Sequence, residues 1–203
     1  MRRALISGIT EQDGAYHAMS IKYVIREMRI KDISSLHHMY NMLSEDSKRF
    51  FHPGFLGSKN VSLRWLLAQI SLCLSSISFL RKTLLYLFPY LVFLPLIVAD
   101  SQDNVVGFAF LKIKKRFKNG GFSAELGIVI DEAHRGRGLG SKLMESLLKM
   151  AQQEKVREVF LTVLSDNFKA IRLYEKFGFK KVGETIDRWR GKTFKSIIMR
   201  RVL

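Results

Sequence analysis

Two rhythms of apolar and polar residues run along the chain, and their order predicts its elements. Residues 23–30 have the pattern of a strand, with Val24, Met28 and Ile30 as core candidates. Asp32 then stands where a helix cap belongs, ahead of Ile33, Leu36, Met39, Tyr40 and Leu43 at helical spacing. Residues 96–99 and 105–114 flank the polar run Asp100-Ser101-Gln102-Asp103-Asn104 and predict a hairpin. A basic turn over 115–121 ends in glycine, and residues 124–130 predict the next strand. Leu139, Leu143, Leu147 and Ala151 recur at every fourth position, with Met144 and Leu148 beside them, which predicts an amphipathic helix. Residues 158–164 read as a strand through Val159, Phe160, Leu161 and Val163. A second helix passes through Tyr174, and residues 179–187 and 194–201 read as the last two strands. The order is strand, one or two helices, three strands, helix, strand, helix, two strands, which predicts an α/β domain with a mixed sheet.

One stretch follows neither rhythm. Phe50-Phe51-His52-Pro53-Gly54-Phe55 breaks the helical pattern, and its aromatic residues suit either an acceptor pocket or ordinary packing under a loop. From Trp65 to Leu80 there are sixteen residues without a charge; Arg81-Lys82 follows, and residues 83–99 form a second uncharged run broken by Pro89 and Pro95. A membrane span is not expected, because a spanning helix needs about 20 apolar residues and both runs are shorter. Residues 61–94 therefore fit a helical lid over a hydrophobic acceptor, a homodimer interface, or a peripheral membrane contact. Gln69, Ser71, Ser75, Ser76 and Ser78 interrupt the apolar surface and favour the first two.

With 203 residues the chain suits one domain with a substantial core, expected over 21–203 with an insertion at about 53–94. Residues 1–20 have no clear period and are expected to form a flexible extension. The net charge of +16 suits an anionic ligand. Nucleic-acid binding is not expected, because the basic residues are scattered and carry no nucleic-acid motif. The single cysteine, Cys73, excludes an internal disulfide and fits a cytoplasmic setting. His37 and His38 lack companions at metal-ligand spacing, so no metal is expected.

The candidate chemistry centres on Arg135-Gly136-Arg137-Gly138-Leu139-Gly140, which joins the strand ending at Ile130 to the helix of Leu143 and Leu147. Glycines let a backbone approach an anion closely. The first turn of a helix has N–H groups without internal partners and a dipole that favours negative charge. The order of glycines is not that of a dinucleotide fingerprint or a P-loop. It fits [Gln/Arg]-x-x-Gly-x-[Gly/Ala], read on Arg135, Gly138 and Gly140. Downstream, Asn167-Phe168-Lys169-Ala170-Ile171-Arg172-Leu173-Tyr174, followed by Gly178-Phe179, supplies a second pattern, Asn-x-x-Ala-x-x-Leu-Tyr then Gly-Phe.

Together these two signatures, in this order, resemble the GCN5-related N-acetyltransferase (GNAT) superfamily. The resemblance covers roughly residues 23–40 and 96–203. It implies a mainly antiparallel mixed sheet flanked by helices, with the hydrophobic insertion between the first and second strands, and acetyl-CoA as cosubstrate. It also implies two central strands that splay apart to admit the pantetheine arm. Ile128, Val129 and Ile130 would contact that arm, and Arg135, Gly136, Arg137, Gly138, Leu139, Gly140 and Ser141 would hold the pyrophosphate. Asn167, Ala170 and Tyr174 would meet the coenzyme from the other side. Tyr174 is the implied general acid, since a phenol with a pKa of about 10 stays protonated at neutral pH. Glu125, on the strand entering the loop, is the candidate base. Relatives that acetylate ribosomal-protein N-termini carry a glutamate where this chain has Thr162. The expected activity is therefore acetylation of a primary amine on a small or medium-sized acceptor. Protein N-terminal or lysine acetylation and a non-catalytic acetyl-CoA-binding regulator are the alternatives.

Overall fold

A computed structural model of the chain describes residues 4–6, 22–51 and 92–203. The predicted hairpin forms where its turn chemistry demands. Asp100 Oδ1 accepts from the backbone N–H groups of Gln102 and Asn104, both at 2.9 Å, and Asp103 takes φ 64°. This turn joins β3 (Phe93–Ala99) to β4 (Val105–Arg116). Ahead of them lie β1 (Ala4–Ile6), β2 (Tyr23–Glu27), α1 (Asp32–Met42) and α2 (Glu45–Phe50). After them come β5 (Phe122–Ile130), a 3₁₀ turn (Glu132–His134), α3 (Leu139–Gln153), β6 (Val156–Leu164), α4 (Phe168–Lys176), β7 (Lys180–Trp189) and β8 (Lys192–Val202).

The strands form one eight-stranded sheet in the order β1-β2-β3-β4-β5-β6-β8-β7. Every neighbouring pair is antiparallel except β5 and β6, which α3 connects in parallel. Each face of the sheet has its own core. On one face Leu143, Met144 and Leu147 of α3, all 0 % exposed, pack over Ala124 and Leu126 of β5 and Leu111 of β4. Burial of each such side chain contributes about 1.5–3 kcal/mol. On the other face Leu36, Met39 and Tyr40 of α1 pack with Phe51, Phe93, Phe108, Phe110 and Val129.

Several expectations shift in detail. Tyr23 and Ile25 are the buried residues of β2, not Val24, and Ile30 is 60 % exposed because the strand ends at Glu27 and Ile30 lies in the turn that follows. Asp32 is the first residue of α1 rather than its cap. Its buried carboxylate accepts from Arg26 at 2.6 and 2.8 Å and from the Arg29 N–H at 2.6 Å. Ala4–Ile6, within the stretch expected to be a tail, pairs with β2, as its three apolar residues allow. The β3 strand starts at Phe93 and contains Pro95. That residue is tolerated because it stands just beyond the last β2 pair, Glu27 with Leu96, where its carbonyl still accepts from the Met28 N–H at 3.3 Å. Most of the hydrophobic stretch 61–94, with its lid, dimer and membrane readings, lies outside the described residues. Among the described residues no helix is long and apolar enough to cross a membrane.

Candidate active site

The site begins with a parallel pair that fails to stay paired. The ladder between β5 and β6 ends at Glu125 and Phe160, yet β5 continues to Ile130 and β6 to Leu164. Both strands remain bonded on their outer sides, β5 to β4 as far as Ile130 and β6 to β8 as far as Leu164. Among the described residues, the facing edges beyond Glu125 and Phe160 thus have no strand partner. Backbone edges inside a sheet call for a hydrogen-bonding guest, and an extended amide-containing chain can supply one as an added strand would. Ile128 and Ile130 pack towards the α3 side of the sheet, whereas Val129 belongs to the core on the opposite face.

The glycine loop closes one end of this gap. Gly136 and Gly138 have φ 78° and 73°, a left-handed backbone that glycine adopts without strain. A Cβ placed on either would meet nothing within 4 Å among the described residues, which leave the space above both unfilled. Gly138 is the N-cap of α3; it offers no side-chain cap, and the first turn (Leu139, Gly140, Ser141) carries no acidic residue. The N–H groups of that turn have no intrahelical acceptor, and with the helix dipole behind them they are the kind of donors an anion can use. The arginines are already engaged. Arg135 donates from Nε to the Ile130 carbonyl (2.9 Å) and from Nη2 to Ser47 Oγ (2.8 Å). Arg137 donates to the Tyr23 hydroxyl (3.0 Å), which also lies 3.0 Å from His134 Nδ1. A guanidinium has five N–H donors, so these contacts leave each arginine able to serve an anion as well.

The second signature forms the turn after β6 and all of α4. Asn167 caps α4, its Oδ1 accepting from the Ala170 N–H at 3.3 Å, which leaves its amide NH₂ for another partner. Ala170 is half-buried against the α3-side core. Tyr174 is 7 % exposed, packs 6.0 Å from Phe179 between ring centroids, and has its phenol pKa pushed well up by burial. A phenol so placed holds its proton through neutral pH and can give it to a stronger base that forms beside it.

Glu125 sits at the fork, the last paired position of β5. Its side chain shares a face with Gly127 and Val129, opposite Ala124 and Leu126, and its Oε2 lies 3.0 Å from Lys114 Nζ. Phe51 lies on the same face, since a Cβ at Gly127 would come within 3.2 Å of its ring. Thr162 is exposed on β6, two residues past the last paired position, Phe160. Among the described residues no group of three or more His, Cys, Asp or Glu side chains gathers as a metal site would require.

The sequence reading missed what holds α2 over this face. Ser44 donates to Glu132 from its hydroxyl and from its backbone N–H, the latter at 3.0 Å, while its Oγ accepts from the Ser47 N–H. These bonds hold the Glu132 carboxyl down at about 2, the Ser44 hydroxyl first among the causes. Ser44-Glu45-Asp46 carries a helix-start signature. Nothing along the chain indicates that its partner lies 88 residues away.

A family model described as Acetyltransferase (GNAT) family matches residues 67–179. The spermine/spermidine N(1)-acetyltransferase of Bacillus subtilis is 34 % identical over 88 residues, which cover 41 % of this chain and 57 % of that enzyme. The chain thus spans little more than half of that relative's length. Among solved structures, an acetyltransferase of the GNAT family from Streptococcus pneumoniae superposes with a TM-score of 0.64 at 25 % identity, covering 89 % of this chain and 99 % of the other. A putative acetyltransferase from Salmonella typhimurium, solved with acetyl-CoA, superposes with a TM-score of 0.61 at 18 % identity, covering 89 % and 93 %.

Proposed function

We propose that this chain, which belongs to the acetyltransferase (GNAT) family, moves an acetyl group from acetyl-CoA to a primary amine of a small or medium-sized acceptor. The observation that carries the reading is the juxtaposition of parted strands with an uncapped helix start. The gap beyond Glu125 and Phe160 suits the amide-bearing pantetheine arm, and the open space over Gly136 and Gly138 suits its pyrophosphate. The spermine and spermidine named for the Bacillus relative support an amine acceptor.

Acetyl-CoA supplies a thioester, an acyl group already activated towards an amine. The chain's residues must do the rest. The backbone edge of Leu126, Ile128 and Ile130 orients the arm, and the N–H groups of Leu139, Gly140 and Ser141 with the Arg135–Arg137 turn hold the phosphates. An aliphatic amine has a pKa of about 10 and must lose a proton before it can attack. Glu125, at the fork and on the α2 side, takes it in this reading, directly or through water. Tyr174, kept protonated by burial, gives its proton to the sulfur as the thiolate leaves. Asn167 retains its amide donors for the coenzyme.

The test is a thiol-release assay with acetyl-CoA and a panel of polyamines, amino acids, amino sugars, arylalkylamines and N-terminal peptides. Turnover on a class of small amines is expected. Thermal stabilisation by acetyl-CoA without thiol release on any of them would replace the enzyme reading with that of a regulatory binder.

A further inference from the structure

Four contacts tie α2 to elements on both sides of the gap. Towards the β5 side, Ser44 bonds Glu132, and Ser47 Oγ accepts from Arg135 at 2.8 Å. Towards the β6 side, Arg49 donates to Asp166 at 2.7 Å, one residue before the cap of α4, and Glu45 meets Arg190 of the β7–β8 turn at 2.6 Å. The helix lies on the face that carries Glu125, and Phe51 at its end packs over Gly127. The two contacts on the β5 side reach the glycine loop and its approach. Arg135 is shared between Ser47 and the Ile130 carbonyl at the end of β5, so a shift of the loop pulls on the Ser47 hydroxyl. Ser47 is 4 % exposed, so its end of this link is shielded from competition by water, while Arg135 stands exposed at the other.

We propose that Ser47 and Glu132 are positioning residues that couple the coenzyme loop to α2, so that filling the loop fixes the acceptor side of the gap. This rests on the reading of the loop as a coenzyme site. Coenzyme binding and acceptor-wall order are then two events joined by one pair of bridges, and the coupling is reciprocal.

Hydrogen exchange of the full chain, with and without coenzyme A, tests it. In the native chain coenzyme A slows exchange at residues 136–143 and also at α2, the latter by about fivefold or more, the lower end of ordinary coupling between sites. In Ser47→Ala combined with Glu132→Gln, slowing at 136–143 persists while that at α2 falls below about twofold. Glu132→Gln alone, at an exposed position that folding tolerates, gives an intermediate α2 response. Arg49→Gln, which cuts the far-side contact, loosens α2 at rest yet keeps its response to coenzyme A. A loop that slows while α2 stays unchanged in the native chain would overturn the coupling and spare the functional reading, as would a double variant that keeps the full α2 response. No slowing in either region would overturn the functional reading and the coupling with it.

Discussion

The two helices that flank the gap start in opposite ways. The first turn of α4 is closed by its own chain, with Asn167 accepting from the Ala170 N–H. The first turn of α3 begins at a left-handed glycine, has no side-chain cap and contains no acidic residue. The six-residue α2 behaves like α4, with Ser44 as cap and Glu45 and Asp46 in its first turn. Helix starts without caps forgo about 1 kcal/mol each. The difference teaches where the chain leaves hydrogen bonds for a ligand and where it meets them itself. In the proposed reaction, accordingly, α3 offers backbone and α4 offers a side chain, Tyr174.

The largest expected effect comes from filling the open start. Gly138→Val puts a branched side chain at φ 73° and into the space above the loop. It costs stability by about 1–2 kcal/mol through backbone strain and abolishes the thermal shift given by acetyl-CoA. A retained shift would show that the phosphates lie elsewhere. Next, Tyr174→Phe is expected to lower turnover roughly 10²-fold with coenzyme affinity unchanged, which separates the role of α4 from that of α3. Because burial raises the phenol's pKa, the native enzyme keeps this acid protonated above the ordinary range. Its pH–rate profile should then show no alkaline fall from Tyr174 below pH 10.

A gentler substitution makes α3 resemble α2. Ser141→Asp adds a carboxylate to the open first turn. It should stabilise the unliganded chain by about 0.3–1 kcal/mol and weaken acetyl-CoA about tenfold in calorimetry. Unchanged affinity would mean that the dipole end is not used. The smallest effect concerns the α2 start, which the chain satisfies through Glu132. That carboxyl is lowered from 4.5 to about 2, chiefly by the Ser44 hydroxyl. Its contribution is therefore complete above pH 4.5 and is lost as pH falls through about 2. Glu132→Gln should remove that part of the acid-induced loss of stability in denaturant titrations, while leaving stability at pH 7 nearly level with pH 5.

Much of this contrast was legible in the sequence because its carriers are local. Glycines at 136, 138 and 140 between an apolar run and a four-residue repeat announce a strand, a permissive turn and a helix start. Asn167, Ala170 and Tyr174 lie within one cap and two helical turns. The parting of β5 from β6 had no local sign, since Val129, Ile130, Val163 and Leu164 look like any buried strand; its expectation came through the family resemblance. The long-range ties were invisible for the same reason. Arg135 reads as a phosphate ligand, yet nothing along the chain shows that its guanidinium also reaches Ser47, 88 residues away. Likewise Asp32 reads as a helix cap until Arg26 takes its carboxylate. Polar side chains at such positions declare their capacity but not their partner.

The measurement that bears most directly on the site is a calorimetric titration of acetyl-CoA into the native chain. Saturable one-to-one binding that Gly138→Val eliminates and Tyr174→Phe leaves intact is the expected result. Absence of binding to the native chain at millimolar acetyl-CoA, or equal binding to the Gly138 variant, would contradict the assignment of the open α3 start as the coenzyme site.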